Sequence, residues 1–80
     1  MIDRIHLSIL NEIHQKGTLT AAAQALCLTQ PALTHTMKKL ESIIGTRLWE
    51  KDGRGLRLTR SGRYLLEVAH KILPQFALAE

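Results

Sequence analysis

Stretches of apolar residues at helical spacing, punctuated by glycine and threonine, organise this chain. In the first, Leu7, Leu10 and Ile13 form one stripe while Ile2, Ile5 and Ile9 form a second, offset one, which predicts an amphipathic helix with two packing partners. Asp3 stands where it would cap that helix. Gly17 stands where it would end it, because only glycine adopts the left-handed backbone after a helix C-terminus without steric cost. Behind Thr18, a second capping residue, Leu19, Ala22, Ala23 and Leu26 recur at helical spacing, and side chains this small let a neighbouring helix cross closely. Leu26-Cys27-Leu28 makes the turn, with Cys27 expected as a small buried hydrophobe. A third helix follows, in which Leu33, Met37, Leu40 and Ile44 form one buried stripe that Gly45 terminates. Thr29 is its N-cap, Pro31 falls in its first turn where a missing N–H costs nothing, and Leu28 and Leu33 are spaced as a hydrophobic staple.

The period then changes. Leu48-Trp49-Glu50-Lys51 and Leu56-Arg57-Leu58 read as short strands around Asp52-Gly53-Arg54-Gly55, a turn whose two glycines are free to take positive φ. This turn lacks the lysine and hydroxyl that complete a nucleotide-binding loop, so that reading is rejected. Thr59 caps a final helix in which Leu65, Val68, Ala69, Ile72 and Phe76 make one seam, widened by Leu66, Leu73 and Ala77. The seam runs past anything a small domain can cover, so a second copy is expected to pack on it. Pro74 is expected to kink or end the helix. The fold class is therefore mainly α: a winged helix-turn-helix of three helices and a two-stranded wing over residues 1–58, followed by a long linker and dimerisation helix over residues 59–80.

Charge sharpens this picture. The net charge of the 80 residues is +4, but residues 36–64 hold eight basic side chains (Lys38, Lys39, Arg47, Lys51, Arg54, Arg57, Arg60, Arg63) against three acidic ones (Glu41, Glu50, Asp52). A basic block beside a polar helix start is the electrostatic footprint of a nucleic-acid binder; a solvated basic face is the plain alternative. The one cysteine has no partner for an internal disulfide. No signal peptide pattern and no apolar run of about 18 residues stands in the sequence, so a cytoplasmic protein without a membrane partner is expected.

The helix-turn-helix covers Thr18-Leu19-Thr20-Ala21-Ala22-Ala23-Gln24-Ala25, the turn Leu26-Cys27-Leu28, and Thr29-Gln30-Pro31-Ala32-Leu33-Thr34-His35-Thr36-Met37. In its second helix Pro31, Thr34, His35 and Lys38 lie opposite the apolar stripe. Short polar side chains at a helix start can approach base edges and phosphates, and the positive end of the helix dipole favours the latter. Gln30 can pair with N6 and N7 of adenine, Thr29 and Thr34 can meet phosphate or base, and the Pro31 ring can touch a thymine methyl. Lys51 and Arg54 on the wing can reach phosphates or the adjacent minor groove. An isolated helix of this kind is more often ordinary polar surface; the basic hairpin after it favours DNA.

Residues 6–73 resemble the N-terminal DNA-binding domain of a LysR-type transcriptional regulator. The stretches that carry the likeness are Gly17-Thr18-Leu19-Thr20-Ala21-Ala22-Ala23, Leu26, Thr29-Gln30-Pro31-Ala32-Leu33-Thr34, Leu40-Glu41, Gly45-Thr46-Arg47-Leu48-Trp49 and Leu58-Thr59-Arg60-Ser61-Gly62. The resemblance implies a bacterial cytoplasmic regulator that pairs through antiparallel linker helices, as a homodimer or tetramer at full length, on an inverted-repeat promoter site in double-stranded DNA. It implies DNA contacts from Thr29, Gln30, Pro31 and Thr34 and from Lys51 and Arg54. It also implies a ligand-sensing C-terminal domain, so a small-molecule effector is expected there and no cofactor in these residues; the chain reads as a piece cut inside the linker helix.

Several positions depart from the family pattern. Thr29 and Thr34 stand where serine is usual, keeping the hydroxyl but restricting its rotation. Lys51 stands where arginine is usual, and Trp49 replaces phenylalanine as a packing change. Thr29-Gln30 with His35, together with Ile72-Leu73-Pro74-Gln75, resemble the branch that regulates methionine biosynthesis.

Enzyme chemistry has little to stand on. His6, His14, His35 and His70 are not at metal-ligand spacings, and the acidic residues form no paired constellation. The serious competitor is a winged-helix module that binds protein. Such an interface favours aromatic anchors, and the chain offers only Trp49, Tyr64 and Phe76.

Overall fold

The computed structural model describes the backbone of residues 2–79, and side-chain surroundings for residues 2–68, 70 and 71. Its elements run α1 (Arg4–Lys16), α2 (Leu19–Ala25), α3 (Gln30–Ile44), β1 (Trp49–Asp52), β2 (Gly55–Leu58) and α4 (Arg60–Ala79). The arrangement is the winged helix-turn-helix expected from the sequence, with a fourth helix that packs on the first.

Helix α1 is the centre of the domain because α2, α3, β2 and α4 all lie against it. Leu7, Ile9, Leu10 and Ile13 are buried in one core with Ala22, Ala23, Leu33, Met37, Leu40, Leu48, Trp49, Leu58 and Leu66. The second stripe of α1 is not covered as expected: Ile9 is buried, but Ile2 and Ile5 are exposed. Ile44, assigned to the buried stripe of α3, is exposed too. It is the last residue of its helix, and with Ile2 and Tyr64 it lines an open depression at the edge of the core.

Local chemistry sets the helix ends. The Thr18 hydroxyl accepts from the Ala21 N–H at 3.2 Å, and Thr29 does the same for Ala32 at 3.2 Å. Each satisfies a backbone donor that has no carbonyl within its helix. Gly17 and Gly45 end α1 and α3 in the left-handed conformation, at φ 74° and 84°. Between α2 and α3 the turn is made by a residue without glycine's freedom. Cys27 has φ 56° and is exposed, so the expected burial is wrong. Its inverted backbone turns the side chain outward while Leu26 and Leu28 on either side pack against the core.

The hairpin pairs Trp49 with Leu58, both buried, and Asp52 with Gly55 across the turn. Gly53 takes the left-handed conformation at φ 62°, whereas Gly55 does not. Close approach explains Gly55 instead, since the next amide, Leu56 N–H, donates to the Gly17 carbonyl at 2.8 Å.

Two side chains lock α3, the hairpin and α4 together. Glu41 Oε2 accepts from the Leu48 N–H at 2.7 Å and lies 3.6 Å from Arg47 Nε. The Thr59 hydroxyl donates to the Arg47 carbonyl at 2.6 Å and accepts from the Gly62 N–H at 3.2 Å, capping α4. Helix α4 runs through Pro74 to Ala79 and does not end at the proline. One missing hydrogen bond in a helix of 20 residues leaves the flanking turns intact. Of the apolar residues in its first turns, Leu66 enters the core and Leu65 packs half-buried beside it.

Candidate nucleic-acid interface

Helix α3 opens on Gln30, the residue after its cap, with Pro31 next in the first turn. Both are exposed, as are Thr29, His35 and Lys38, while Thr34 is half-buried. Leu33, Met37 and Leu40 face the core, which turns the polar side of the helix outward. Gln30, Pro31, Thr34, His35 and Lys38 line one open depression whose remaining wall is Leu19 of α2. The sequence-predicted residues of the helix thus come together on one surface.

The wing contributes a second depression. Lys51, Gly53, Arg54, Gly55 and Leu56 line it, and Leu19 is again part of the wall. A single side chain therefore borders both concavities. The start of α3 and the tip of the hairpin belong to one continuous face, joined across Leu19. The contact from Leu56 to Gly17, two residues before Leu19, holds the hairpin against the α1–α2 junction and fixes that relation.

Pairing within the chain divides the basic block. Arg57 Nη2 lies 3.4 Å from Glu50 Oε1, Arg47 sits beside Glu41, and Arg63 Nη1 donates to the Leu58 carbonyl at 3.1 Å. Lys38, Lys51 and Arg54 have no ion pair among the described residues. Three of the eight cations thus serve the fold, and the unpaired ones include those on the shared face.

The hydroxyls are divided too. Thr29 spends its oxygen on the helix cap and retains its hydrogen as a donor. Thr36 donates to the Ala32 carbonyl at 2.9 Å and is turned back onto its own helix. Two helix-turn-helix residues matter here that the sequence reading did not place at the interface. Leu19 joins the depressions, and Thr20 accepts from Gln30 Nε2 at 3.0 Å. Both depend on how α2 crosses α3, which residue spacing along the chain does not express.

Among the described residues no three metal-ligating side chains cluster, and no helix is long and apolar enough to cross a membrane. Of the residues expected in the dimer seam, Leu65 and Val68 are half-buried, while Ala69, Ile72 and Phe76 lie outside the described side chains.

A family model for bacterial regulatory helix-turn-helix proteins of the lysR family matches residues 5–63, from α1 through the hairpin into α4. The chain belongs to the lysR family. Its relatives include the HTH-type transcriptional regulator MetR of Salmonella typhimurium, 40% identical over 79 residues, which are 99% of this chain and 25% of that protein. The uncharacterized HTH-type transcriptional regulator YdcI of Escherichia coli is 41% identical over 68 residues, covering 85% of this chain and 22% of that protein. This lysR-family chain thus spans about a quarter of the length of such relatives.

Solved structures agree with the fold. The CbnR_DBD-DNA complex superposes with a TM-score of 0.86 at 32% identity, covering 98% of this chain and 90% of that one. The BenM_DBD/benA site 1 DNA complex gives 0.87 at 27% identity, covering 98% and 91%. The family is one of regulators, not enzymes. The likeness to the methionine branch accords with the similarity to MetR, and the comparable identity to YdcI keeps the assignment at the level of the family.

Proposed function

We propose that this lysR-family chain is the sequence-specific, double-stranded DNA-binding module of a cytoplasmic bacterial transcription regulator. The observation that carries the reading is the shared wall at Leu19, which makes the polar start of α3 and the basic wing one surface. A helix start enters the major groove while a hairpin beside it follows the backbone or the neighbouring minor groove. DNA complexes among the similar solved structures support the same reading.

The residues divide the work by their chemistry. Gln30 reads a base edge, Pro31 and the methyl of Thr34 offer apolar contact to a thymine methyl, and Thr29 donates its hydroxyl hydrogen to phosphate. His35 and Lys38 extend the contact along α3, and Lys51 and Arg54 neutralise phosphates from the wing. Residues 1–58 form this reading unit. Residues 59–80 pair two copies through α4, with Leu65, Val68, Ala69, Ile72 and Phe76 in the seam, so that two recognition helices meet successive major grooves of an inverted repeat. A small-molecule effector then acts through a further domain of the whole regulator. A protein-binding winged helix is the weaker reading, because the shared face offers cations and amides where a protein hot spot needs aromatic anchors.

Titration of fluorescent duplexes at one fixed salt concentration tests the proposal. Saturable binding that weakens as salt is raised supports it; no binding to any duplex at low salt refutes it. For the pairing of α4, sedimentation of wild type against Ile72→Asp should show a dimer that the carboxylate disrupts. A wild-type monomer at micromolar concentration removes that part of the account.

A further inference from the structure

Gln30 at the start of α3 is tied to α2: its Nε2 donates to the hydroxyl oxygen of Thr20, 3.0 Å away. We propose that Thr20 is a specificity-determining residue, which orients the Gln30 carboxamide so that it accepts adenine and rejects guanine. The inference rests on the reading that Gln30 meets a base.

A free carboxamide carries two N–H donors on one side and a carbonyl on the other, and a half-turn about its last bond exchanges them. In the major groove adenine presents a donor at N6 and an acceptor at N7, whereas guanine presents two acceptors, N7 and O6. An unrestrained glutamine serves both bases. It offers carbonyl plus one N–H to adenine, or both N–H groups to guanine. In the observed arrangement the Thr20 hydroxyl oxygen takes one N–H and holds the nitrogen on the α2 side. What remains for a base is one donor and one acceptor, the complement of adenine.

Thr20 and Gln30 are both exposed, so the bond is not needed to close the core. Thr20 does not cap its helix either, because that hydroxyl belongs to Thr18.

The test compares the 80-residue chain with Thr20→Val, Thr20→Ser, Gln30→Ala and the double variant Thr20→Val/Gln30→Ala, on duplexes that vary one base at a time at fixed salt. Gln30→Ala locates the base position that Gln30 reads. There Thr20→Val should lower the adenine-over-guanine affinity ratio by about three- to tenfold, the worth of one lost hydrogen bond. Thr20→Ser should keep the wild-type ratio, and Thr20→Val should change nothing further once Gln30 is alanine.

A wild-type ratio in Thr20→Val, or an equal effect of Thr20→Val with and without Gln30, overturns the proposal while leaving Gln30 as a base reader. If Gln30→Ala alters no base preference at all, the reading role fails and the inference with it. Thermal unfolding should be unchanged in Thr20→Val, and a lowered midpoint would assign Thr20 to the fold instead.

Discussion

A methyl group built on Gly55 would stand 2.5 Å from the carbonyl oxygen of Gly17. The hairpin and the end of α1 therefore touch backbone to backbone, and the bond from Leu56 N–H to that same carbonyl requires the approach. Gly55→Ala should push the hairpin off the α1–α2 junction and cost about 1–3 kcal/mol, as overpacking does. Gly53→Ala has open space around it and carries only the left-handed backbone penalty, about 1 kcal/mol. Denaturant unfolding should rank Gly55→Ala as the more damaging and show a matching loss of duplex affinity. The reverse ranking would mean that the wing is not held by this contact.

Glu41 should prove more important than its place on a polar helix face implies. Its carboxylate accepts from the Leu48 amide as the chain leaves α3 for the wing, and the side chain is only 11% exposed. Glu41→Ala removes a hydrogen bond to a charged group, worth about 1.5–3 kcal/mol. Glu41→Gln retains an acceptor and should lose less. Urea midpoints measured at an unchanged slope decide the matter, and a neutral Glu41→Ala would contradict the link.

The wing cations should separate by their pairing. Arg54→Ala should weaken all duplexes alike and flatten the dependence of log affinity on log salt by about 0.9 for each lost phosphate contact. Arg57 is held 3.4 Å from Glu50, so Arg57→Ala should leave that slope nearly unchanged. Equal flattening by both variants would show that the ion pair does not withhold Arg57 from DNA.

His6 should make the fold sensitive to mild acid. Its Nδ1 accepts from the Asp3 N–H at 2.9 Å, which requires the ring to be unprotonated there. Burial holds its pKa below the ordinary 6.5, against the opposing pull of the Asp3 carboxylate. Since the folded state binds the proton less readily than the unfolded chain, this stability is present above pH 6.5 and declines as pH falls through that value towards the lower folded pKa. The melting temperature should drop between pH 7.5 and pH 5.5 in wild type, by more than in His6→Gln, whose amide oxygen can still accept. Parallel pH profiles would remove His6 as the cause.

Features set by neighbours along the chain were legible in the sequence. Thr18, Thr29 and Thr59 cap helices because a hydroxyl beside a free amide suffices, and Gly17 and Gly45 end helices because only backbone freedom is asked of them. Misreadings occur where a third element decides. Cys27 looked buried between two leucines, yet the turn inverts its backbone. Gly55 looked like a second left-handed turn residue, yet it is the neighbouring Gly17 that needs it small. Ile44 continued an apolar period past the point where α3 leaves the core. In the interface, periodicity and the helix start brought out Gln30, Pro31, Thr34, His35 and Lys38, whereas Leu19 reads from its spacing as a packing residue and its place on the interface, like that of Thr20, follows only from the crossing of α2 over α3.

Selection of bound duplexes from a random library, at one stated salt concentration, decides whether this chain reads DNA sequence. An inverted repeat should be enriched whose half-sites contain a position that Gln30→Ala no longer discriminates, bound at least about a thousandfold more tightly than unrelated duplex. A library that returns unenriched, or bound with equal affinity whatever its sequence, would contradict it.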